Sequence, residues 1–141
     1  ELGVQRTVVV GEEDLEKIVL EMTGGKGPSP VFECSGSLKA LNTALGIAAK
    51  KADIVQLGVF SRRYNEIDTS VFFSKELRFV GSRTSRPSSW RTAVQLMADG
   101  IVIPEKIVTA IVDLEDWFTG FTAFKNHQGI KTVLRLSGEQ M

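Results

Sequence analysis

The chain has 141 residues, of which 43% are hydrophobic and 24% are charged, and its 17 basic and 17 acidic residues give a formal net charge of +0. This balance excludes the electrostatic footprint expected of a protein that binds nucleic acid or an anionic membrane. The length suits one domain, no apolar run is long enough to span a bilayer, and the single cysteine excludes an internal disulfide. We therefore expect a globular protein of a reducing compartment, the cytoplasm.

Strand and helix patterns alternate from the start of the chain. Residues 7–10 are rich in β-branched side chains and predict a short strand. Apolar residues at helical spacing predict a helix from Leu15 to Met22, which a pair of glycines ends. Residues 31–34 are the next predicted strand, and Ser37 is placed to cap the helix that follows it.

The middle of the chain repeats this alternation. A strand is predicted at residues 53–58, followed by a polar surface loop at residues 61–68. Residues 71–73 form a short apolar anchor, and residues 77–80 form another strand. The order of strands and helices predicts an α/β layered fold whose strands are parallel.

The last part of the chain has the same mixed character. Ser88 or Ser89 is predicted to cap a helix that runs through Met97. A strand at residues 107–112, an aromatic-rich helix and a strand at residues 130–136 follow.

Two short turns offer the clearest candidate site. They follow the predicted strands at residues 31–34 and 53–58, and they contain Gly36 and Gly58. In open parallel sheets ligands bind where the strands end, so both turns are candidate ligand-binding elements.

Side chains suited to catalysis are scarce. Cys34 is predicted to be buried and has no basic neighbour in sequence to activate it, while His127 stands at a helix end, where a cation complements the helix dipole. One cysteine and one histidine cannot supply a tetrahedral zinc site, and neither phosphate-cradling glycine motif occurs. We predict no catalytic residue and no metal ligand in this chain.

Five short segments occur in an order and spacing that span nearly all of the chain: residues 1–3 (ELG), 31–37 (VFECSGS), 54–59 (IVQLGV), 75–82 (KELRFVGS) and 129–134 (GIKTVL). Together they resemble the C-terminal part of the zinc-type medium-chain alcohol dehydrogenases, especially the sorbitol (polyol) and threonine dehydrogenase branch. The resemblance implies a parent enzyme that transfers hydride between a secondary alcohol and NAD or NADP. In that family zinc polarises the alcohol oxygen.

The resemblance also implies which residues bind the cofactor. Cys34, Ser35 and Gly36 would line the turn over its adenosine side. Lys131 would contact the pyrophosphate, although a solvated surface lysine explains this residue equally well, because lysine pairs with phosphate only as a point charge.

A second group would lie at the nicotinamide. The resemblance implies that Leu57, Gly58 and Val59 border the ring, and that main-chain groups of Leu57, Arg78 and Val80 lie near its carboxamide. Leu57, Val59 and Val80 would in any case be buried strand residues.

The resemblance covers only part of the family's enzymes, and this determines the expected domain organisation. It implies strands three to six of a partial Rossmann-type sheet with the order 3-2-1-4-5-6, in residues 1–83, and a C-terminal segment of the parent's catalytic domain in residues 84–141. The family's zinc ligands and its glycine-rich phosphate turn have no counterparts in this sequence. We therefore expect a fragment of a longer enzyme that is inactive by itself.

Two other functions and one assembly state are considered. The chain could be a stand-alone interaction or ligand-binding module derived from the same fold. An unrelated α/β nucleotide-binding domain, such as a methyltransferase, ranks last because the glycine turn is missing. Sheet edges left without neighbours predict a homo-oligomer, in which residues 7–10 or 31–34 pair between copies, or else closure of residues 7–10 onto residues 31–34.

Overall fold

The computed structural model describes residues 2–136, which fall into two compact units. The first unit is Val4–Thr84, and the second unit begins at Ser85 and includes Leu2 and Gly3. The first unit contains α1 (Leu15–Met22), β1 (Val31–Glu33), α2 (Leu38–Ile47), β2 (Asp53–Gln56), α3 (Thr69–Lys75) and β3 (Arg78–Gly81). The second unit contains α4 (Pro87–Ala98), β4 (Val108–Asp113), α5 (Trp117–Lys125) and β5 (Lys131–Arg135). No helix within residues 2–136 is both long enough and apolar enough to cross a bilayer.

Parallel strands form the framework of both units. In the first unit the sheet order is β1–β2–β3, and Ile54 of β2 lies opposite Val31 of β1 and Phe79 of β3. In the second unit β4 and β5 pair in parallel, with Val112 opposite Leu134. The predicted α/β class with parallel strands is therefore confirmed.

The strand predicted at residues 7–10 does not form, and that prediction is wrong. The segment enters a tight turn in which the N–H groups of Glu12 and Glu13 both donate to the carbonyl oxygen of Val9, each at 3.1 Å. The Glu13 carboxylate accepts from the Val9 N–H at 3.1 Å and pairs with Arg6. These local bonds occupy polar groups that a neighbouring strand would need. The predicted closure of residues 7–10 onto residues 31–34 is therefore also wrong, whereas pairing between copies stays a prediction.

The apolar anchor predicted at residues 71–73 is part of helix α3. Asp68 caps this helix by accepting from the Ser70 N–H at 2.9 Å. Phe72 packs edge-on against Phe79, with ring centroids 6.0 Å apart, while Phe73 is 90% exposed. A helix of seven residues makes about two turns, so the spacing of its apolar residues is too short a pattern to reveal it.

The core of the first unit lies between α2 and the sheet. Ser37 caps α2, as predicted, by accepting from the Ala40 N–H at 3.4 Å. One face of the helix packs onto β2, and the largest fully buried side chains there are Leu41, Leu45 and Ile54. Burial of each such side chain stabilises the fold by about 1.5–3 kcal/mol. This packing orders β1 and β2 side by side.

A lysine from another helix bonds the carboxyl end of α2. Lys75 Nζ donates to the carbonyl oxygens of Leu45 at 3.2 Å, of Ala48 at 2.9 Å, and of Gly46. The last carbonyl groups of a helix have no partners within the helix, so the ammonium group supplies donors that they lack. These bonds anchor α3 to α2.

The helices of the second unit differ from the predictions at one cap. Pro87 opens α4 without any side-chain cap, so the predicted capping by Ser88 or Ser89 is wrong. Helix α5 buries Gly120, where a Cβ atom would lie 3.2 Å from a methyl group of Thr132. The large aromatic side chains of α5 are all exposed: Trp117, Phe118, Phe121 and Phe124.

Replacing Lys75 by Met tests the bonds at the end of α2. We expect Lys75→Met to lower the free energy of unfolding of the first unit by about 1–3 kcal/mol, because three carbonyl groups lose a charged donor. Both tryptophans, Trp90 and Trp117, lie in the second unit. In urea unfolding, tryptophan fluorescence therefore reports on the second unit alone, whereas circular dichroism reports on both units. Comparing the two signals separates the unfolding of the first unit from that of the second.

The control is Lys51→Met. The Lys51 side chain forms an exposed ion pair with Glu76 at 3.6 Å, so replacing this side chain should leave the unfolding midpoint unchanged. Equal midpoints for the two variants would contradict the role given to Lys75.

Candidate functional site

Two turns meet at the carboxyl edge of the first sheet. The turn after β1 contains Cys34, Ser35 and Gly36, and the turn after β2 contains Leu57, Gly58 and Val59; we call them the paired turns. Since β1 and β2 are parallel neighbours, both turns leave the same edge of the sheet.

The backbones of the paired turns touch at two glycines. A Cβ atom at Gly58 would lie 2.1 Å from the Gly36 nitrogen and 2.5 Å from Oε2 of Glu33. A Cβ atom at Gly36 would lie 2.3 Å from the carbonyl oxygen of Val59, and Gly36 also has a φ of +69°. Any side chain would force the turns apart, so glycine is required at both positions.

Glu33, the last residue of β1, bonds to both turns and is only 3% exposed. Its Oε1 atom accepts from the Ser35 N–H at 2.8 Å, the Ser35 hydroxyl at 2.5 Å and the Gly36 N–H at 3.0 Å. Its carbonyl oxygen accepts from the N–H groups of Leu57 at 2.8 Å and Gly58 at 2.9 Å. One residue therefore holds the first turn through its side chain and the second through its main chain.

Two opposing effects set the pKa of the Glu33 carboxyl group. Burial raises the pKa, but the hydrogen bonds donated by Ser35, Gly36 and Ser37 outweigh it and hold the pKa below its ordinary value. Glu33 is therefore ionised at neutral pH. Sequence reasoning missed this residue, although an acidic side chain at the end of an apolar strand, followed by Ser and Gly, was a usable signal.

Cys34 is exposed, so its predicted burial is wrong. Side chains alternate between the two faces of a strand, and Glu33 already occupies the inward position. Ser35 is also exposed, and Gly36 is partly covered by Val59. The turn after β1 thus presents the Cys34 sulfhydryl group outward, while the Ser35 hydroxyl group donates to the Glu33 carboxylate and the backbone of Gly36 faces the neighbouring turn.

The description of Leu57, Val59 and Val80 as buried strand residues is wrong. Strand β2 ends at Gln56, so Leu57 and Val59 lie beyond it and are 47% and 84% exposed. Val80 is 45% exposed, because every residue of β3 is open to solvent. Apolar side chains are therefore exposed to solvent at the edge where the paired turns lie.

The Arg78 side chain lies at the other end of the first sheet. Arg78 begins β3, opposite Asp53 at the start of β2, and its Nε and Nη2 atoms bond to the two Asp53 carboxylate oxygens at 2.6 and 2.7 Å. Its side chain therefore stabilises the amino-terminal end of the sheet. Lys131 begins β5 in the second unit and is exposed.

A metal site has no candidate ligands in the part of the chain that the structure describes. No group of three or more His, Cys, Asp or Glu residues within residues 2–136 could hold a metal ion. The described residues thus do not fit a zinc ion. What they offer a ligand is an exposed apolar edge and two glycine-containing turns, which are held by the hydrogen-bonded carboxylate of Glu33.

Comparison with known proteins identifies related sequences. Residues 1–99 match the family described as zinc-binding dehydrogenase. D-arabitol-phosphate dehydrogenase of Enterococcus avium is 30% identical over 139 residues, which cover 99% of this chain and 40% of that protein. Sorbitol dehydrogenase of Halalkalibacterium halodurans is 29% identical over 134 residues, which cover 95% of this chain and 39% of that protein. The chain thus spans about 40% of the length of these relatives.

A solved structure has the same fold. The alcohol dehydrogenase from Thermus sp. ATN1 superimposes with a TM-score of 0.83 at 22% identity, over 92% of this chain and 37% of that chain. At this identity the likeness shows the fold alone. With the family match and the relatives, it confirms the resemblance to the zinc-type alcohol dehydrogenases that the five segments predicted.

The lowered pKa of Glu33 predicts how stability depends on pH. The ionised carboxylate stabilises the folded state fully above the pKa of the unfolded chain, and this contribution disappears as pH falls through the lower pKa of the folded chain. We expect the difference in unfolding free energy between wild type and Glu33→Gln to be largest above about pH 5 and to shrink below about pH 4. Urea unfolding at a series of pH values that extends below and above this range measures it. A difference that stayed constant with pH would contradict the bonded, ionised carboxylate.

The contact between the glycines predicts opposite effects at two positions. Gly58→Ala should destabilise the first unit by about 1–3 kcal/mol, because its Cβ atom overlaps the backbone of Gly36. The matched control is Gly46→Ala in α2, where a Cβ atom meets nothing within 4 Å and should stabilise the helix by about 0.5–1 kcal/mol. Urea unfolding of both variants measures these shifts, and a stabilised Gly58→Ala would show that the turns do not touch.

Proposed function

The chain belongs to the zinc-binding dehydrogenase family, and on that premise we propose that the paired turns form part of the nicotinamide-cofactor site of an alcohol or polyol dehydrogenase. The observation that carries the proposal is that Glu33 accepts hydrogen bonds from both turns, from one through its side chain and from the other through its carbonyl oxygen. Both turns therefore lie together at one carboxyl edge of the sheet, where Leu57 and Val59 are exposed. Ligands of open parallel sheets bind at this edge. The names of the relatives, D-arabitol-phosphate and sorbitol dehydrogenase, favour a polyol as the substrate class.

The chemistry of the edge suits a flat, partly apolar ring. Leu57 and Val59 offer aliphatic side chains, while Gly36 and Gly58 let the two turns lie in direct contact, so that both can face one ligand. The Leu57 N–H already donates to the Glu33 carbonyl oxygen at 2.8 Å. We therefore assign the contact with the nicotinamide carboxamide to the carbonyl oxygen of Leu57, which accepts from an amide NH₂ group.

The adenosine side of the cofactor is assigned to the other turn. Cys34 and Ser35 are exposed beside the backbone of Gly36 and can contact a ribose or an adenine ring. The main-chain roles of Arg78 and Val80 and the pyrophosphate contact of Lys131 stay predictions of the resemblance.

The chain's own task in this proposal is to hold the cofactor. In dehydrogenases of this family a bound zinc polarises the alcohol oxygen, but the described residues offer no set of ligands for it. We therefore expect NADH binding without alcohol oxidation by this polypeptide alone. Binding of other small ligands or proteins at the same edge, in place of NADH, would favour the alternative of a separate binding module.

A charge placed at the edge tests the proposal. We expect Val59→Asp to weaken NADH binding roughly tenfold, because a carboxylate replaces an apolar contact and repels the cofactor's phosphates. Val59 is 84% exposed, so the change should leave the fold intact. NADH fluorescence titration measures the dissociation constant.

The matched control is Phe73→Asp in α3, which introduces the same charge at a side chain that is 90% exposed and not part of the paired turns. It should bind NADH as wild type does. Equal affinity of wild type and Val59→Asp, or no NADH binding by wild type at millimolar cofactor, would refute the proposed site.

A further inference from the structure

Glu33 is a charged side chain in a place that normally excludes charge. It is the only buried residue with a polar or charged side chain within the described residues 2–136, whereas the buried residues of the core are aliphatic. Moving a carboxylate out of water costs several kcal/mol unless it is fully hydrogen-bonded. The donors that offset this cost come from the turn after β1, Ser35 and Gly36, and from the next residue, Ser37. The buried charge therefore acts on that turn and not on the core.

The same residue also reaches the second turn. Its carbonyl oxygen accepts from the N–H groups of Leu57 and Gly58, and its Oε2 atom lies 2.5 Å from the position that a Cβ atom of Gly58 would take. A displacement of Glu33 would consequently move both turns at once. With only 3% of its surface exposed, Glu33 itself is not open to a ligand.

We propose that Glu33 is a positioning residue of the cofactor site: it fixes the separation of the paired turns, so that the exposed edge of Leu57 and Val59 and the backbone of Gly36 face one ligand together. This inference rests on the proposed function, because the ligand is the nicotinamide cofactor. Glu33 acts only through the two turns and touches no reacting atom.

The test uses Glu33→Gln in the full chain. Glutamine keeps the volume, but it removes the charge and replaces one carboxylate oxygen by an NH₂ group, which opposes the N–H of Gly36. Two controls accompany it. Glu21→Gln removes the same charge from an exposed position in α1. Ile54→Val weakens the core without altering any bond of Glu33.

The first measurement needs no cofactor. Amide hydrogen exchange should become roughly tenfold faster at Gly36 and Gly58 in Glu33→Gln, because the bonds that protect them are weakened. The amides of Leu41 and Ala48 in and after α2 should change no more than they do in Ile54→Val. A uniform change at all four amides would show a purely structural role and overturn the proposal.

The second measurement is NADH affinity. We expect the dissociation constant to rise roughly tenfold in Glu33→Gln and less than about twofold in either control. If wild type and Glu33→Gln bind NADH equally, the positioning role is overturned while the proposed function stands. If wild type does not bind NADH, the proposed function fails, and faster exchange at Gly36 and Gly58 then still decides whether Glu33 couples the turns.

Discussion

The edge of the first sheet depends on a contact between two backbones that carry no side chains where they meet. Gly36 and Gly58 approach so closely that a single methyl group at either position would separate them. Glu33 completes this contact, because its side chain and its carbonyl oxygen bond to different turns. The order of this edge therefore follows from one residue at the end of an edge strand and two absent Cβ atoms.

Packing elsewhere in the first unit supports this arrangement. Helix α2 presses Leu41 and Leu45 onto Ile54 of β2 and so keeps β1 and β2 adjacent. Lys75 of α3 donates hydrogen bonds to the carbonyl oxygens at the carboxyl end of α2, and these bonds hold the two helices together. The turns can thus expose apolar side chains to solvent, since the burial that stabilises the first unit takes place in the core between α2 and the sheet.

The parts of the structure that sequence reasoning predicted are those with a long regular pattern. Helices α1, α2 and α4 and the parallel sheet follow from periodicity and alternation. The strand expected at residues 7–10 does not form, because the local hydrogen bonds of Glu13 outweigh the strand propensity of the β-branched residues. The exposure of Cys34 and the role of Glu33 escape because they depend on which face of β1 points inward, and three residues do not determine this. The glycine turns were found as candidates, but their mutual contact needs three-dimensional proximity that no spacing expresses.

The outward orientation of Cys34 has a practical consequence. It is the only thiol of the chain, it is exposed, and it stands in one of the paired turns. A maleimide dye would therefore attach at a single known position without any engineered cysteine. Its emission would report on solvent polarity beside Ser35 and Gly36, which makes the native molecule its own fluorescent sensor for whatever occupies that edge.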